Sequence, residues 1–445
     1  MSAARPPEGA RPLPEEGVRA AHEVRKPGGG EHASEHFDTL ETRDPELRER
    51  SIFAALPAQI AHSKANAPAS ALLLEGIDAA EISSRAALAR LPVTRKTELA
   101  QRQAEARPFG GFAAAGFGAI ARAYASPGRI YELEGRGADW WRLARALHAA
   151  GFRRGDLVHN CFAYHLTPAG FMLESGAQAL GCSVFPGGTG QTELQAQAMA
   201  DLKPAGYVGT PSFLRIILEK ADELGFDVSS LRNALVSGEA FLPVHREALK
   251  IRGIDGYQVY ATADLGSIAY ESRAREGLIV DEGVLVEIVR PGPNDPLPPG
   301  EGGEVVVTQL SNADYPLIRF GTGDLSAVLP GASSCGRTNL RIKGWMGRAD
   351  QTTKVKGMFV HPAQVAAIVA RHPEIGKARL VVDNPDGIDR MTLHVEPRAT
   401  LSAPATDAII ASIRDVTKLR GEVLARKPGE LPNDGKVIDD ARKLD

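Results

Sequence analysis

Asp324 closes the run Arg319-Phe320-Gly321-Thr322-Gly323-Asp324, where two glycines give the backbone freedom to turn. The spacing predicts a strand end and a tight turn with the Asp324 carboxylate at its tip. Such a carboxylate can accept two hydrogen bonds from a vicinal diol, for example the 2′- and 3′-hydroxyls of a ribose. Further on, Arg348 offers a planar fork suited to a phosphate or ribose oxygen, and Asp350 and a basic run ending at Lys356-Gly357 follow it. A diol acceptor, a guanidinium and a polar break between two differently patterned regions point to a nucleotide held at a domain boundary. Each charge taken singly is also what a solvated hairpin carries, so the rest of the chain has to decide.

The elements that would position these groups read as alternating helices and strands. Residues 1–35 are polar and rich in Pro, Gly, Glu and Arg, and are expected to form a disordered tail. Leu40, Leu47, Ile52, Leu56 and Ile60 are spaced for one helical face. Shorter helices are expected near Ser83–Leu91 and Thr97–Ala106, with Thr94 or Thr97 as a cap. In Ala123–Gly137, Gly128, Gly135 and Gly137 could form a phosphate-cradling turn. The pair Glu132 and Glu134 would repel a phosphate, and a surface hairpin is the alternative. From Asp139 to Ala240 helices alternate with short apolar strands, which implies parallel strands joined by right-handed crossovers. Ligands then sit beyond the C-terminal strand ends. Gly187–Thr192, Thr210–Ser212, Ser237–Ala240 and Tyr260–Asp264 all fall at such ends. Leu278–Val307 reads as an antiparallel β-rich subdomain. Beyond Asp350 a small α/β unit is expected, and a polar terminal loop carries Lys436.

Composition sets limits. The chain of 445 residues has a net charge of −3 and no long block of one sign, which argues against a nucleic-acid partner or a polybasic membrane anchor. No apolar run reaches the roughly 18 residues of a membrane span, and the start lacks a signal-peptide core. The three cysteines are too few for a disulfide framework and lack zinc-ligand spacing. A cytoplasmic protein is expected, and the richness in Ala, Arg, Gly and Pro suggests a bacterial source.

Together the motifs resemble the phenylacetate–CoA ligase group of the adenylate-forming (AMP-binding) superfamily. The densest match is LGCSVFPGGTGQTELQAQAMADLKPAGYVGTPSFLRIILEKA, and the order SGEA, YATAD, RFGTGD, GRADQTTKVKG, Gly-Lys is the superfamily's. The resemblance implies an α/β protein with a large adenylation domain (36–348), including a β-rich subdomain, and a small mobile domain (349–445) hinged at Asp350. It implies ATP, Mg²⁺ and CoA as cofactors, a small carboxylic acid as substrate, and leaves a homodimer open. By resemblance Lys436 is the catalytic cation near the α-phosphate. Ser237, Gly238, Glu239 and Ala240 line the adenine slot, Tyr260 stacks on adenine with Ala261 and Thr262 beside it, Asp324 holds the ribose, and Arg348 reaches ribose or phosphate. Asp264 stands where the family's Mg²⁺-binding glutamate does. Lys356 and Gly357 face CoA after the small domain swings. Phe162, Tyr164, His165, Gly187 and Gly188 are candidate walls for an aryl or short branched acid.

Two positions depart from the family pattern. The phosphate loop is here ASPGRIYELEG, without the hydroxyls and the lysine, and the metal-binding glutamate is shortened to Asp264. Three functions are therefore weighed: a CoA ligase, an adenylating enzyme that passes the acyl group to an amine or carrier protein, and a non-catalytic relative that binds nucleotide or acyl-CoA.

Overall fold

The computed structural model describes residues 35–445 apart from 127–129, 350, 352, 386, 428, 433–435 and 443–445. The expected tail up to residue 34, and the expected hinge Asp350, lie outside these residues. The N-terminal helices are α1 (Pro45–Asn66), α2 (Pro68–Leu73) and α3 (Arg85–Leu88). Asp44 caps α1 by accepting from the Leu47 amide at 2.8 Å, Pro45 opens its first turn, and Ile52, Phe53, Leu56 and Ile60 are buried. The two-residue strand β1 (Thr94–Arg95) leads directly into α4 (Lys96–Glu105). Thr94 is therefore strand, not cap; Arg95 stands at the cap position and makes no side-chain cap bond.

The expected phosphate cradle is an antiparallel hairpin of β2 (Arg122–Ser126) and β3 (Ile130–Glu134). Gly128 lies in its undescribed turn. Gly135 has no room for a Cβ, because Trp140 and Asp314 press on it. The alternating region is α5 (Ala144–Ala149), β4 (Leu157–Asn160), α6 (Ala169–Leu180), β5 (Ser183–Phe185), α7 (Thr192–Leu202), β6 (Gly206–Gly209), α8 (Pro211–Leu224), β7 (Asn233–Val236), α9 (Pro243–Ile251) and β8 (Asp255–Thr262). Strands β5-β4-β6-β7-β8 pair in parallel. Their neighbours β9 (Gly266–Glu271), β10 (Leu278–Val280), β11 (Val284–Val289), β12 (Gly302–Gln309), β13 (Phe320–Leu329) and β14 (Arg341–Ile342) extend the sheet antiparallel in the order β8-β9-β10-β14-β13-β12-β11. β1 joins from outside that path, parallel to the start of β13.

The parallel strands bury both faces. Val208 and Leu235 pack with Trp141, Phe152 and Leu173, whereas their neighbours Tyr207, Ala234 and Val236 pack with Met199, Leu214 and Ile217. Alternate side chains leave a strand in opposite directions, so an unbroken apolar run requires cover on both sides. The helices supply it. α8 shows how local chemistry fixes them: Thr210 accepts from the Phe213 amide at 3.3 Å, Pro211 opens the first turn, and Gly225 ends the helix at φ +69°.

The C-terminal region has its own core around Val355, Ile368, Leu380, Leu393, Ile409 and Ile413. It contains the hairpin β15 (Thr353–Val355) and β16 (Met358–Val360), helix α10 (Pro362–Ala370), strands β17 (Ile375–Asp383) and β18 (Arg390–Pro397), helix α11 (Ala403–Thr417), and strands β19 (Glu422–Ala425) and β20 (Ile438–Asp440). The four longer-range strands form one sheet in the order β19-β18-β17-β20. β19 and β20 were not expected. Both are short edge strands paired in parallel to inner ones, so distant partners rather than their own pattern make them strands.

Candidate functional site

The C-terminal ends of the parallel strands lie along one edge and carry Phe162, Gly187, Thr210, Ser237–Glu239 and Thr262–Asp264. The Ser237 hydroxyl donates to the Val259 carbonyl at 2.8 Å, tying the β7 end to β8. Gly238 follows at φ +87°, a conformation that favours glycine. Glu239 accepts from the Ser212 amide at 2.7 Å, at the start of α8. Ala240 follows in the same loop, partly exposed.

Asp324 reaches this edge from within a strand, not from a turn tip. β12 and β13 lose register between Val306↔Gly321 and Glu304↔Leu325, so Thr322, Gly323 and Asp324 bulge opposite Val305. The Thr322 hydroxyl donates to the Val305 carbonyl at 3.0 Å, and Gly323 takes φ +74°. The bulge aims the Asp324 carboxylate at Tyr260, whose hydroxyl donates to Oδ2 at 2.8 Å. Arg348 donates to Oδ1 at 3.0 Å and to the Thr322 carbonyl at 2.9 Å, and the Trp345 indole reaches Oδ1 at 3.2 Å. The guanidinium lies over Gly323, where any Cβ would strike it. Burial, then the Asp324 charge, holds the Tyr260 phenol well above its ordinary pKa, so it acts as a neutral donor. The three residues proposed for the adenosine thus form one hydrogen-bonded group.

The Gly238 loop meets a second cluster. A Cβ built on Gly238 would lie 3.6 Å from Thr210 Cγ2, 3.8 Å from Phe162 Cε1 and 3.8 Å from Lys354 Nζ. Lys354 comes from β15 in the C-terminal region, with its ammonium 5.4 Å from the Phe359 ring. Burial lowers its pKa, opposed by Glu239 and Asp324. Lys436 lies elsewhere, 55% exposed and 3.6 Å from Asp439. Lys356 and Gly357 are exposed at the tip of the β15–β16 hairpin, with φ +47° and +83°.

A third cluster lies beside Asp264. The Thr262 hydroxyl accepts from the Leu265 amide at 3.2 Å and closes the turn that carries this acid, while Ala261 pairs with Ser267 just past a register shift that follows Tyr260. Lys96, the first residue of α4, donates to Asp264 Oδ2 at 2.6 Å and lies 3.7 Å from Glu132 Oε1. Burial works against the Lys96 charge, yet Asp264 and Glu132 together hold its pKa above the ordinary value. Burial and the neighbouring Asp264 push Glu132 up to about 7. Asp264 is 1% exposed, and its Oδ1 has no hydrogen-bond partner among the described residues, so a carboxylate oxygen is available to a hard divalent cation.

The candidate acid pocket is mixed. Phe162 is buried against the Gly238 loop. The Tyr164 hydroxyl accepts from Asn160 at 2.8 Å, and its ring stands edge-on to Phe171. His165 is exposed. Gly187 is required by packing, since a Cβ would lie 2.4 Å from Gln195 Oε1; Gly188 takes φ +67°.

Sequence reasoning missed Lys354, Lys96, Glu132 as a partner of Asp264, and Gln195, whose amide nitrogen donates to the Gly187 carbonyl at 2.8 Å. Lys354 alone carried a signal, as the basic middle residue of a three-residue strand whose two neighbours, Thr353 and Val355, are buried. Lys96 meets an acid 168 positions away, and no local pattern announces such a contact.

The mixed sheet thus brings a bulged aspartate, a tyrosine and an arginine to the ends of its parallel strands. A crystal structure of 2-hydroxyisobutyryl-CoA ligase, in complex with its acyl-adenylate and CoA in the thioesterification state, superposes with a TM-score of 0.80. It is 24% identical and covers 92% of this chain and 93% of that one. The same enzyme in its postadenylation state gives 0.69. No family model matches the chain. Phenylacetate–coenzyme A ligase of Aromatoleum evansii is 32% identical over 339 residues, covering 72% of this chain and 75% of that protein. The Thermus thermophilus enzyme of the same name is 31% identical over 336 residues, 72% and 74% of the two chains. The chain belongs to the phenylacetate–coenzyme A ligase family.

Proposed function

We propose that the protein is an ATP-dependent carboxylic acid–CoA ligase acting through an acyl-adenylate. The observation that carries this reading is the linked group Tyr260–Asp324–Arg348, set at the same edge as the Lys354 ammonium. In the first step the acid's carboxylate oxygen attacks the α-phosphorus of ATP, and the bond to pyrophosphate breaks. In the second the sulfur of CoA attacks the acyl carbonyl, its proton is lost, and the bond to AMP breaks. AMP is held through both steps by Asp324 on the ribose, with Tyr260 and Arg348 fixing that carboxylate. Tyr260, Ala261 and Thr262, with Ser237–Ala240, border the base.

Each step builds negative charge at a different atom, so each needs a cation there. Lys436 serves the α-phosphate and Lys354 the acyl carbonyl, exchanged by rotation of the C-terminal domain about Asp350. Lys354 beside Gly238 and the closer match to a thioester-forming neighbour support reading this conformation as the second-step state. Lys356 and Gly357 then border the CoA entrance. Asp264 would hold Mg²⁺, which when bound offsets the charge of the leaving pyrophosphate. Phe162, Tyr164, Gly187 and Gly188 form the pocket for an aryl or short branched acid, with His165 at its rim. The enzyme works in the cytoplasm, where ATP and CoA are supplied; among the described residues no helix is long and apolar enough to cross a membrane.

The test is acyl-CoA formation from ATP, CoA and single acids of the aryl, branched and hydroxy classes, with pyrophosphate and AMP followed in parallel. One class should give thioester with equal pyrophosphate and AMP. Adenylate formation that CoA does not discharge would sink the ligase reading.

A further inference from the structure

We propose that Glu132 and Asp264 together form a divalent-cation site, in which Glu132 is a ligand supplied by the β2–β3 hairpin. The proposal builds on the ligase reading, which assigns Asp264 alone to the metal. Both side chains are 1% exposed, and each keeps one carboxylate oxygen, Glu132 Oε1 and Asp264 Oδ1, without a hydrogen-bond partner among the described residues. Buried polar atoms are almost always paired, so Asp264 Oδ1, with no partner among the described residues, and Glu132 Oε1, with only the Lys96 ammonium at 3.7 Å, point to a missing ligand. Tyr315 borders the pair: it is also 1% exposed, and the charges of Asp264 and Glu132, with a Gln103 hydrogen bond, act on its phenol.

The ion pairing agrees. The lysine at this point, Lys96, lies 2.6 Å from Asp264 Oδ2 but 3.7 Å from Glu132 Oε1, so it pairs closely with one carboxylate and only loosely with the other. Glu132 is also built in. The Ser126 hydroxyl donates to its other oxygen across the hairpin, which fixes the carboxylate and leaves Oε1 turned toward Lys96. No group of three or more His, Cys, Asp or Glu side chains able to hold a metal is assembled among the described residues. Two carboxylates suit Mg²⁺, which usually takes one or two and completes its shell with phosphate oxygens and water. A second carboxylate supplies the reach that Asp264, one methylene short of glutamate, gives up. The acid that sequence reasoning set against a phosphate becomes the group that draws the cation to it.

The experiment is a Mn²⁺ titration of the full chain followed by electron paramagnetic resonance, with and without α,β-methylene-ATP, and with Mg²⁺ as competitor. The wild type should take up one Mn²⁺ that Mg²⁺ displaces. Glu132→Gln and Asp264→Asn should each weaken binding at least roughly tenfold. Lys96→Met should tighten it, because a competing positive charge is removed. Unchanged Mn²⁺ affinity in Glu132→Gln, or no uptake by the wild type with the nucleotide present, would overturn the proposal. Should either acid variant fail to fold, Lys96→Met decides: tighter binding supports the site, unchanged binding refutes it. Thioester formation from supplied acyl-adenylate involves no pyrophosphate, so it separates the two readings. Thioester formation without Mn²⁺ uptake removes only the cation site, and Mn²⁺ uptake without thioester formation removes only the ligase.

Discussion

At the scale of single residues, Asp324 and Lys354 carry the strongest expectations. Asp324 makes three charge-assisted contacts and is the group placed for a ribose. Asp324→Ala should weaken AMP binding by about 1.5–3 kcal/mol, roughly ten- to a hundredfold. Isothermal titration with AMP checks this, and an unchanged affinity would remove the ribose assignment. The two lysines should separate by half-reaction. Lys354→Ala should slow thioester formation from supplied acyl-adenylate by about 10²-fold or more and spare pyrophosphate release, and Lys436→Ala should do the reverse. Equal losses in both half-reactions for either variant would contradict the division of labour.

At the scale of elements, the strand-end loops matter more than the helices between them. Gly238 at φ +87° lets β7 turn beneath Lys354 and Phe162. Gly238→Ala should cost on the order of 1 kcal/mol and shift the loop, seen as a lower melting temperature and a raised KM for the acid. The local elements were legible because each carries its own signal. α8 has Thr210, Pro211 and Gly225 at the expected offsets, and β6 and β7 are apolar runs too short for helices. The tight turn expected at Asp324 was a bulge instead, since the glycines permit either and only the pairing with β12 decides. Tyr260, Asp324 and Arg348 were readable from motifs within a few residues of each. Lys96 and Glu132 were not, because their meaning comes from Asp264, which the fold alone brings to them.

At the scale of the whole molecule, the N-terminal helices, the mixed sheet and the site are joined through Arg319. Its side chain is fully buried, bonds Glu287 through two nitrogens at 2.9 and 3.1 Å, and donates to the carbonyls of Ala89 and Leu91. Arg319→Leu leaves Glu287 buried without its cation and should cost about 3–5 kcal/mol of stability, measurable by urea unfolding. A loss below about 1 kcal/mol would mean that water reaches Glu287. One further consequence follows from β1, which lies against β13 with Thr94 beside Phe320 and its amide bonded to the Arg319 carbonyl. Lys96 is held at the site by this pairing and by Asp264 rather than by its own chain neighbours. The Gly116–Gly118 bend beyond α4 is exposed, and Phe117 is 66% exposed. A protein made as two fragments divided at that bend should therefore reassemble with its Lys96 contacts in place, so covalent continuity there is dispensable for the architecture of the site.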